Sequence, residues 1–179
     1  MAKEWIDVAD TAVKIGLGGL VSGIFTFIGI RFTHKSDKEK HLLKHTTKVL
    51  EHISEDIGEY FDAWNAYIAK VAGITKVLAS NEKEISTNQR EAIANRNSEL
   101  VAAWKKKDSA KSKSYLIKAT KVADTINDCT SLEKELRDRI VFLKEIPTYE
   151  EVVELRNNVK KAQKKVYVQL SEYYAELRT

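Results

Sequence analysis

The sequence predicts an all-α protein, with one N-terminal transmembrane helix followed by a cytoplasmic bundle of about four long, antiparallel, coiled-coil-like helices. Three observations predict it. The 179 residues hold one proline and seven glycines, too few breakers for a chain of strands and tight turns. Residues 15–30 carry no charged side chain. Beyond them, apolar residues recur with helical spacing along most of the chain. The expected organisation is a short non-cytoplasmic flank at 1–10, the span at 11–32, and the bundle at 33–179.

The span comes first. Residues 11–30 have Lys14 as their one charge, and roughly 20 apolar residues cross a bilayer as a helix. Lys14 sits near one end, where its stem reaches the headgroups. Trp5 and Phe32 take the positions of interfacial aromatics. A signal peptide does not fit, because the start "MAKEWIDVAD" is net acidic and the run ends "FIGIRF" without a small-residue cleavage site. Basic residues follow the run: Arg31, Lys35, Lys38, Lys40 and Lys44. By the positive-inside rule this puts the C-terminal side in the cytoplasm and the N-terminus outside. Arg31, Lys35, Lys38 and Lys40 are the expected juxtamembrane anchor on anionic lipid.

Five of the seven glycines lie in this run. Glycine costs about 1 kcal/mol against alanine in a soluble helix. On a helical wheel Ala12, Gly16, Gly19, Ser22, Gly23 and Thr26 fall within roughly 160° of arc, with Thr11, Gly18 and Gly29. Leu17, Leu20, Val21, Ile24, Phe25, Phe27 and Ile28 fill the remainder. Small residues let helices approach closely and gain dispersion contacts. This face is expected to pack against another helix. The chain has no second long hydrophobic run, so the partner is a second copy or another membrane protein.

The first bundle helix carries a heptad seam: Leu43, Thr46, Leu50, Ile53, Ile57, Tyr60, Trp64, Tyr67, Val71, Ile74 and Leu78, in steps of 3 and 4. Val49, Phe61, Ile68 and Val77 widen it, which favours a bundle over a lone two-stranded coil. Asn81 with Glu84 reads as a capping box opening a second helix over 82–106. The segment "KKKDSAKSKSY" reads as a break capped by Asp108 or Ser109, with one helix over 82–144 as the alternative. The third stripe is Leu116, Ala119, Val122, Ala123, Ile126, Cys129, Leu132, Leu136, Ile140 and Leu143, ended by Pro147. Thr148 and Glu151 form a capping box, with Val152 placed as a hydrophobic staple. The last helix presents Val152, Leu155, Val159, Ala162, Val166, Leu170, Tyr173 and Leu177.

Few residues suggest chemistry. The formal charge is +4; residues 1–30 contribute −1, leaving +5 on the rest. Lys105, Lys106, Lys107, Lys111 and Lys113 are the candidate anion-binding cluster, for lipid headgroups or, less favoured, a nucleic acid or nucleotide. Lys160, Lys161, Lys164 and Lys165 form a second group. The four histidines, His34, His41, His45 and His52, share one face, and His41 with His45 is the one weak candidate pair of metal ligands. A solvated face is the expected reading, with no metal and no cofactor. Cys129, the single cysteine, is expected in the core of a chain kept in a reducing compartment. No P-loop, GxSxG, dinucleotide loop or catalytic triad pattern is present, and no catalytic residue is assigned.

These readings converge on a non-enzymatic protein of the cell membrane that oligomerises through the Gly/Ser/Thr face of its span, with membrane lipid, further copies of itself or another membrane protein as the expected partners. It acts as scaffold or as sensor within a membrane complex. The alternative is an oligomeric pore or membrane-disrupting effector of bacterial or phage conflict, gated by the bundle.

Overall fold

The computed structural model describes residues 37–81 and 84–177. Regular structure there is helical throughout: α1 Asp37–Asn81, α2 Thr87–Leu116, α3 Thr120–Arg137, a π-helical turn Asp138–Phe142, and α4 Tyr149–Glu176. The predicted span, its glycine face, His34, Arg31 and Lys35 lie outside the described residues. Among the described residues no helix is long and apolar enough to cross a membrane. The chain divides into two compact units, Met1–Lys44 and His45–Thr179. Of the first, the opening turns of α1 are described, and they include Lys38 and Lys40. The bundle belongs to the second.

α1 follows its heptad. Leu50, Ile53, Ile57, Tyr60, Trp64, Tyr67, Val71 and Ile74 are all buried, with Phe61 and Ile68 beside them. Val77, expected to widen the stripe, is instead 48% exposed. It lies on the flank of the stripe, next to Leu78, the seam residue, which is half-buried. The rings of Phe61 and Trp64 stack at 6.1 Å, and Tyr60 tilts against both. Burying each such side chain contributes about 1.5–3 kcal/mol.

α2 begins later than expected. Asn81 is the last residue of α1, and the capping box belongs to Ser86 and Gln89. The Gln89 N–H donates to the Ser86 hydroxyl at 3.3 Å, and the Ser86 N–H donates to Gln89 Oε1 at 2.9 Å. The break expected near Asp108 is absent. Lysine and alanine are good helix formers, and Lys107, Ala110 and Ser114 are buried on the inner face, so α2 runs on to Leu116. The chain turns at Ile117–Ala119 in a Schellman motif. Ala119 N–H donates to the Ser114 carbonyl at 2.8 Å and Lys118 N–H to that of Tyr115 at 3.0 Å. Lys118 holds φ 64°, a conformation that favours glycine. Residues 82–144 are therefore neither one helix nor two parted at Asp108.

α3 buries Val122, Ala123, Ile126, Cys129 and Leu136, and the π-helical turn after it buries Ile140. Leu132, expected in this stripe, is half-buried, and Glu133 takes the seam position at 3% exposure. Leu116 and Leu143, counted in the same stripe, are exposed at 74% and 62%, because each falls where a helix ends. The π turn closes with Leu143 N–H on the Asp138 carbonyl at 3.0 Å, ahead of Pro147. The Thr148–Glu151 capping box is present, and Val152 behind it is fully buried. α4 buries Val152, Leu155, Val159, Val166 and Leu170.

The helices alternate in direction. Asp56 and Glu59, rising along α1, meet Lys113 and Lys106, falling along α2. Trp104 and Asn97 of α2 meet Glu133 and Arg137 of α3. Asp128 and Arg139 around α3 meet Lys165 and Glu151 of α4. An all-helical antiparallel bundle results.

Candidate functional site

The core contains a charged network where three helices meet. On α2, the positions Ile93, Asn97, Leu100, Trp104, Lys107 and Ser114 follow heptad spacing, and polar residues hold half of them. On α3 and the π-helical turn that follows it, Ile126, Cys129, Glu133, Leu136 and Ile140 do the same, with Glu133 as the polar member. These two seams face the aromatic part of α1.

Glu133 is the centre. Its carboxylate accepts from the Tyr60 hydroxyl at 2.6 Å and from Trp104 Nε1 at 2.6 Å. Charge-assisted hydrogen bonds of this length are among the stronger ones in proteins. Two cations flank it: Lys107 Nζ and Arg137 Nη1 each lie 3.9 Å from a carboxylate oxygen. The same cations stack on aromatic faces. Arg137 sits 4.6 Å from the Trp104 ring centroid, and Lys107 lies 5.4 Å from that of Tyr60 and 5.6 Å from that of Trp104. Arg137 Nε donates to Asn97 Oδ1 at 2.8 Å.

A second polar cluster lies about one turn of α1 from Tyr60, at Asp56, which is 7% exposed. It accepts from Lys113 Nζ at 2.6 Å and Ser109 Oγ at 2.8 Å, with Lys106 Nζ at 3.3 Å. Lys106 also donates to Glu59 at 2.8 Å.

Burial pushes the Tyr60 hydroxyl far up from its ordinary range, and the charge of Glu133 adds to it. Tyr60 is thus fixed as a donor. Burial also lifts Tyr67, to about 12, with Arg137 opposing and Glu133 assisting. Burial alone would raise Asp56; the hydrogen bonds from Lys113 and Ser109 and the Lys113 charge outweigh it and hold the carboxyl below 3.8. Cys129 is buried and pushed up to about 11 by that burial and by the charge of Asp128, so it is a core residue and a poor thiolate.

The lysine cluster divides on this map. Lys106, Lys107 and Lys113 turn to carboxylates of the bundle, and Lys111 donates to Asn127 at 2.8 Å. Lys105 is exposed. In the second group, Lys165 pairs with Asp128 at 3.1 Å. His41, His45 and His52 are exposed, and His52 meets Glu55 at 3.1 Å. Among the described residues no three His, Cys, Asp or Glu side chains are grouped to hold a metal ion. Sequence reasoning passed over Glu133, Asp56, Asn97 and Arg137. The signal was present: extending the heptad through polar residues from Trp104 reaches Asn97, Lys107 and Ser114. No known protein family, curated protein or solved structure matches the chain.

The chemistry of the network is that of a register lock. An apolar heptad seam packs almost as well after a slip, whereas a buried carboxylate with two donors and two cations has one satisfying position.

Proposed function

We propose that this chain is a membrane-anchored, non-enzymatic helical protein. It oligomerises through the Gly/Ser/Thr face of one span and acts as scaffold or sensor in a membrane complex. The observation that carries the reading is the charge-free run at 15–30, with its small residues gathered on one face and basic residues directly after it. The N-terminus lies outside and the bundle in the cytoplasm, held at the cell membrane by Arg31, Lys35, Lys38 and Lys40. Lipid and further copies of the chain are its partners. The charged network of the bundle supports a sensing role, because a signal that disturbs it shifts the packing of α1.

Oligomeric state in detergent tests this. The full chain runs as an oligomer, and Gly19→Leu with Gly23→Leu reduces it to smaller species. A full chain that is a monodisperse monomer in water without detergent contradicts the reading. The hydroxyls of Thr11, Ser22 and Thr26 on the small face support the second reading, an oligomeric pore gated by the bundle. Ion flux in liposomes, abolished by Ser22→Leu, selects the pore; oligomers without flux select the scaffold.

A further inference from the structure

Charge is segregated between α1 and α4. Residues 49–69 hold five acids and no lysine or arginine, and residues 155–171 hold five lysine or arginine side chains and no acid. On α1, Asp56 and Glu59 turn to Lys113 and Lys106 of α2. Glu51, Glu55 and Asp62 fall on the outward flank, within about 40° of one another at 100° per residue, next to the half-buried Gly58. On α4, Lys160 and Lys164 lie one and two turns before the half-buried Tyr167, on its side of the helix. α1 and α4 adjoin here: a Cβ added at Gly58 would lie 3.7 Å from the Tyr167 hydroxyl, and the charge of Asp62 acts on Tyr167. The heights agree. Asp56 meets Lys113 of α2, Lys111 meets Asn127 of α3, and Asp128 meets Lys165 of α4, so the α4 lysines run beside residues 58–62 in the opposite direction. Yet among the described residues Asp62, Lys160, Lys161 and Lys164 form no ion pair, and Glu55 meets only His52 of its own helix.

We propose that this α1–α4 side of the bundle is a self-complementary interface between two copies of the chain. A two-fold axis parallel to the helices sets α1 of one copy against α4 of the other. Rotation about such an axis changes no height, so Asp62 faces the partner's Lys160 and the partner's Lys164, and the same contact forms a second time with the roles exchanged. Gly58 and the Tyr167 ring form the floor between the two charged rows. Both copies point the same way, as chains held in one bilayer by the same N-terminal segment must. An anionic lipid surface or a nucleic acid fits this side less well, because Glu51, Glu55 and Asp62 stand beside the lysines and would be repelled. Exposed ion pairs contribute little singly. The inference therefore rests on the proposed association of the span, which holds copies at an effective concentration where a weak face closes.

Cross-linking of the full chain in non-ionic detergent tests it. One chain carries Asn65→Cys on α1, the other Asn157→Cys on α4, and both carry Cys129→Ala, so a short bismaleimide joins thiols of different copies only. The mixture cross-links far more than either chain alone. Asp62→Lys in both chains abolishes the product, and Lys164→Glu in both does the same. Asp62→Lys on the first chain with Lys164→Glu on the second restores it, because every facing pair is again opposite in charge. Charges that pair only within one copy would be restored by both substitutions in a single chain and not by the split pair, and that result overturns the proposal. So does a product that none of the reversals changes. Suppression of the product by phosphatidylserine added to the micelles gives the lysines to lipid and also overturns it. The interface and the span reading fail separately. Oligomers without the mixed product overturn the interface alone; a mixed product that survives Gly19→Leu with Gly23→Leu supports the interface and removes the span from it; a monomer overturns both.

Discussion

The inner face of α1 and the inner faces of α2 and α3 solve the same packing problem with different residues. From Leu50 to Ile74, α1 presents a near-continuous apolar and aromatic seam. Opposite it, the buried positions of α2 and α3 include Lys107, Ser114, Thr125 and Glu133. The apolar seam supplies most of the burial free energy, because area removed from water sets that quantity and polar heptad positions contribute little. The polar seam supplies uniqueness. A bundle built from α1-like faces alone would have the stability without a single register.

The largest effect should come from splitting the network. Glu133→Leu leaves two buried cations and the Tyr60 and Trp104 donors without their acceptor, and costs about 3–5 kcal/mol in denaturant unfolding. Adding Lys107→Met and Arg137→Leu to the same chain removes the stranded charges. This triple variant is expected to recover most of that loss. If Glu133→Leu alone is neutral, the polar seam is not set apart from the apolar one.

Asp56 should give a smaller and pH-dependent effect. Its folded carboxyl is held below 3.8, so its contribution is fully present above that value and is lost as pH falls through the folded pKa. Asp56→Asn costs about 1–3 kcal/mol at neutral pH. The difference from the parent chain shrinks as the pH is lowered below 4, and urea unfolding at several pH values measures it.

The smallest effects concern the backbone and sharpen the contrast by leaving both seams untouched. Lys118 sits at φ 64°, so Lys118→Gly relieves a left-handed side chain and raises stability by up to about 1 kcal/mol. Gly73 is mid-helix in α1, and an added Cβ meets nothing within 4 Å. Gly73→Ala should raise stability by about 1 kcal/mol. Both shifts are read as unfolding midpoints.

The sequence made the apolar part of this architecture visible and concealed the polar part. The α1 heptad, the Thr148–Glu151 box and the burial of Cys129 follow from hydrophobic period and cap chemistry, and the structure has each of them. The α2 seam was hidden because Asn97, Lys107 and Ser114 occupy core positions, and a lysine-rich segment reads as solvated until its acidic partners on α1 and α3 are known. Glu133 was displaced in the reading by Leu132, its apolar neighbour. The start of α2 was misplaced because Asn81–Glu84 and Ser86–Gln89 both satisfy the capping pattern within a few residues, and only the continuation of α1 through Asn81 decides between them.

The most direct test of the register lock is a distance measurement between α1 and α2. Spin labels at Glu55→Cys and Lys105→Cys, with Cys129→Ala to remove the native thiol, report the sliding coordinate by pulsed electron resonance. The parent network gives one narrow distance. Adding Glu133→Leu, Lys107→Met, Arg137→Leu and Asp56→Ala should split or broaden it, with populations separated by roughly one helical turn, about 5 Å. A distance that stays single and narrow in that apolar variant would mean that the aromatic seam of α1 fixes the register by itself, contradicting the account.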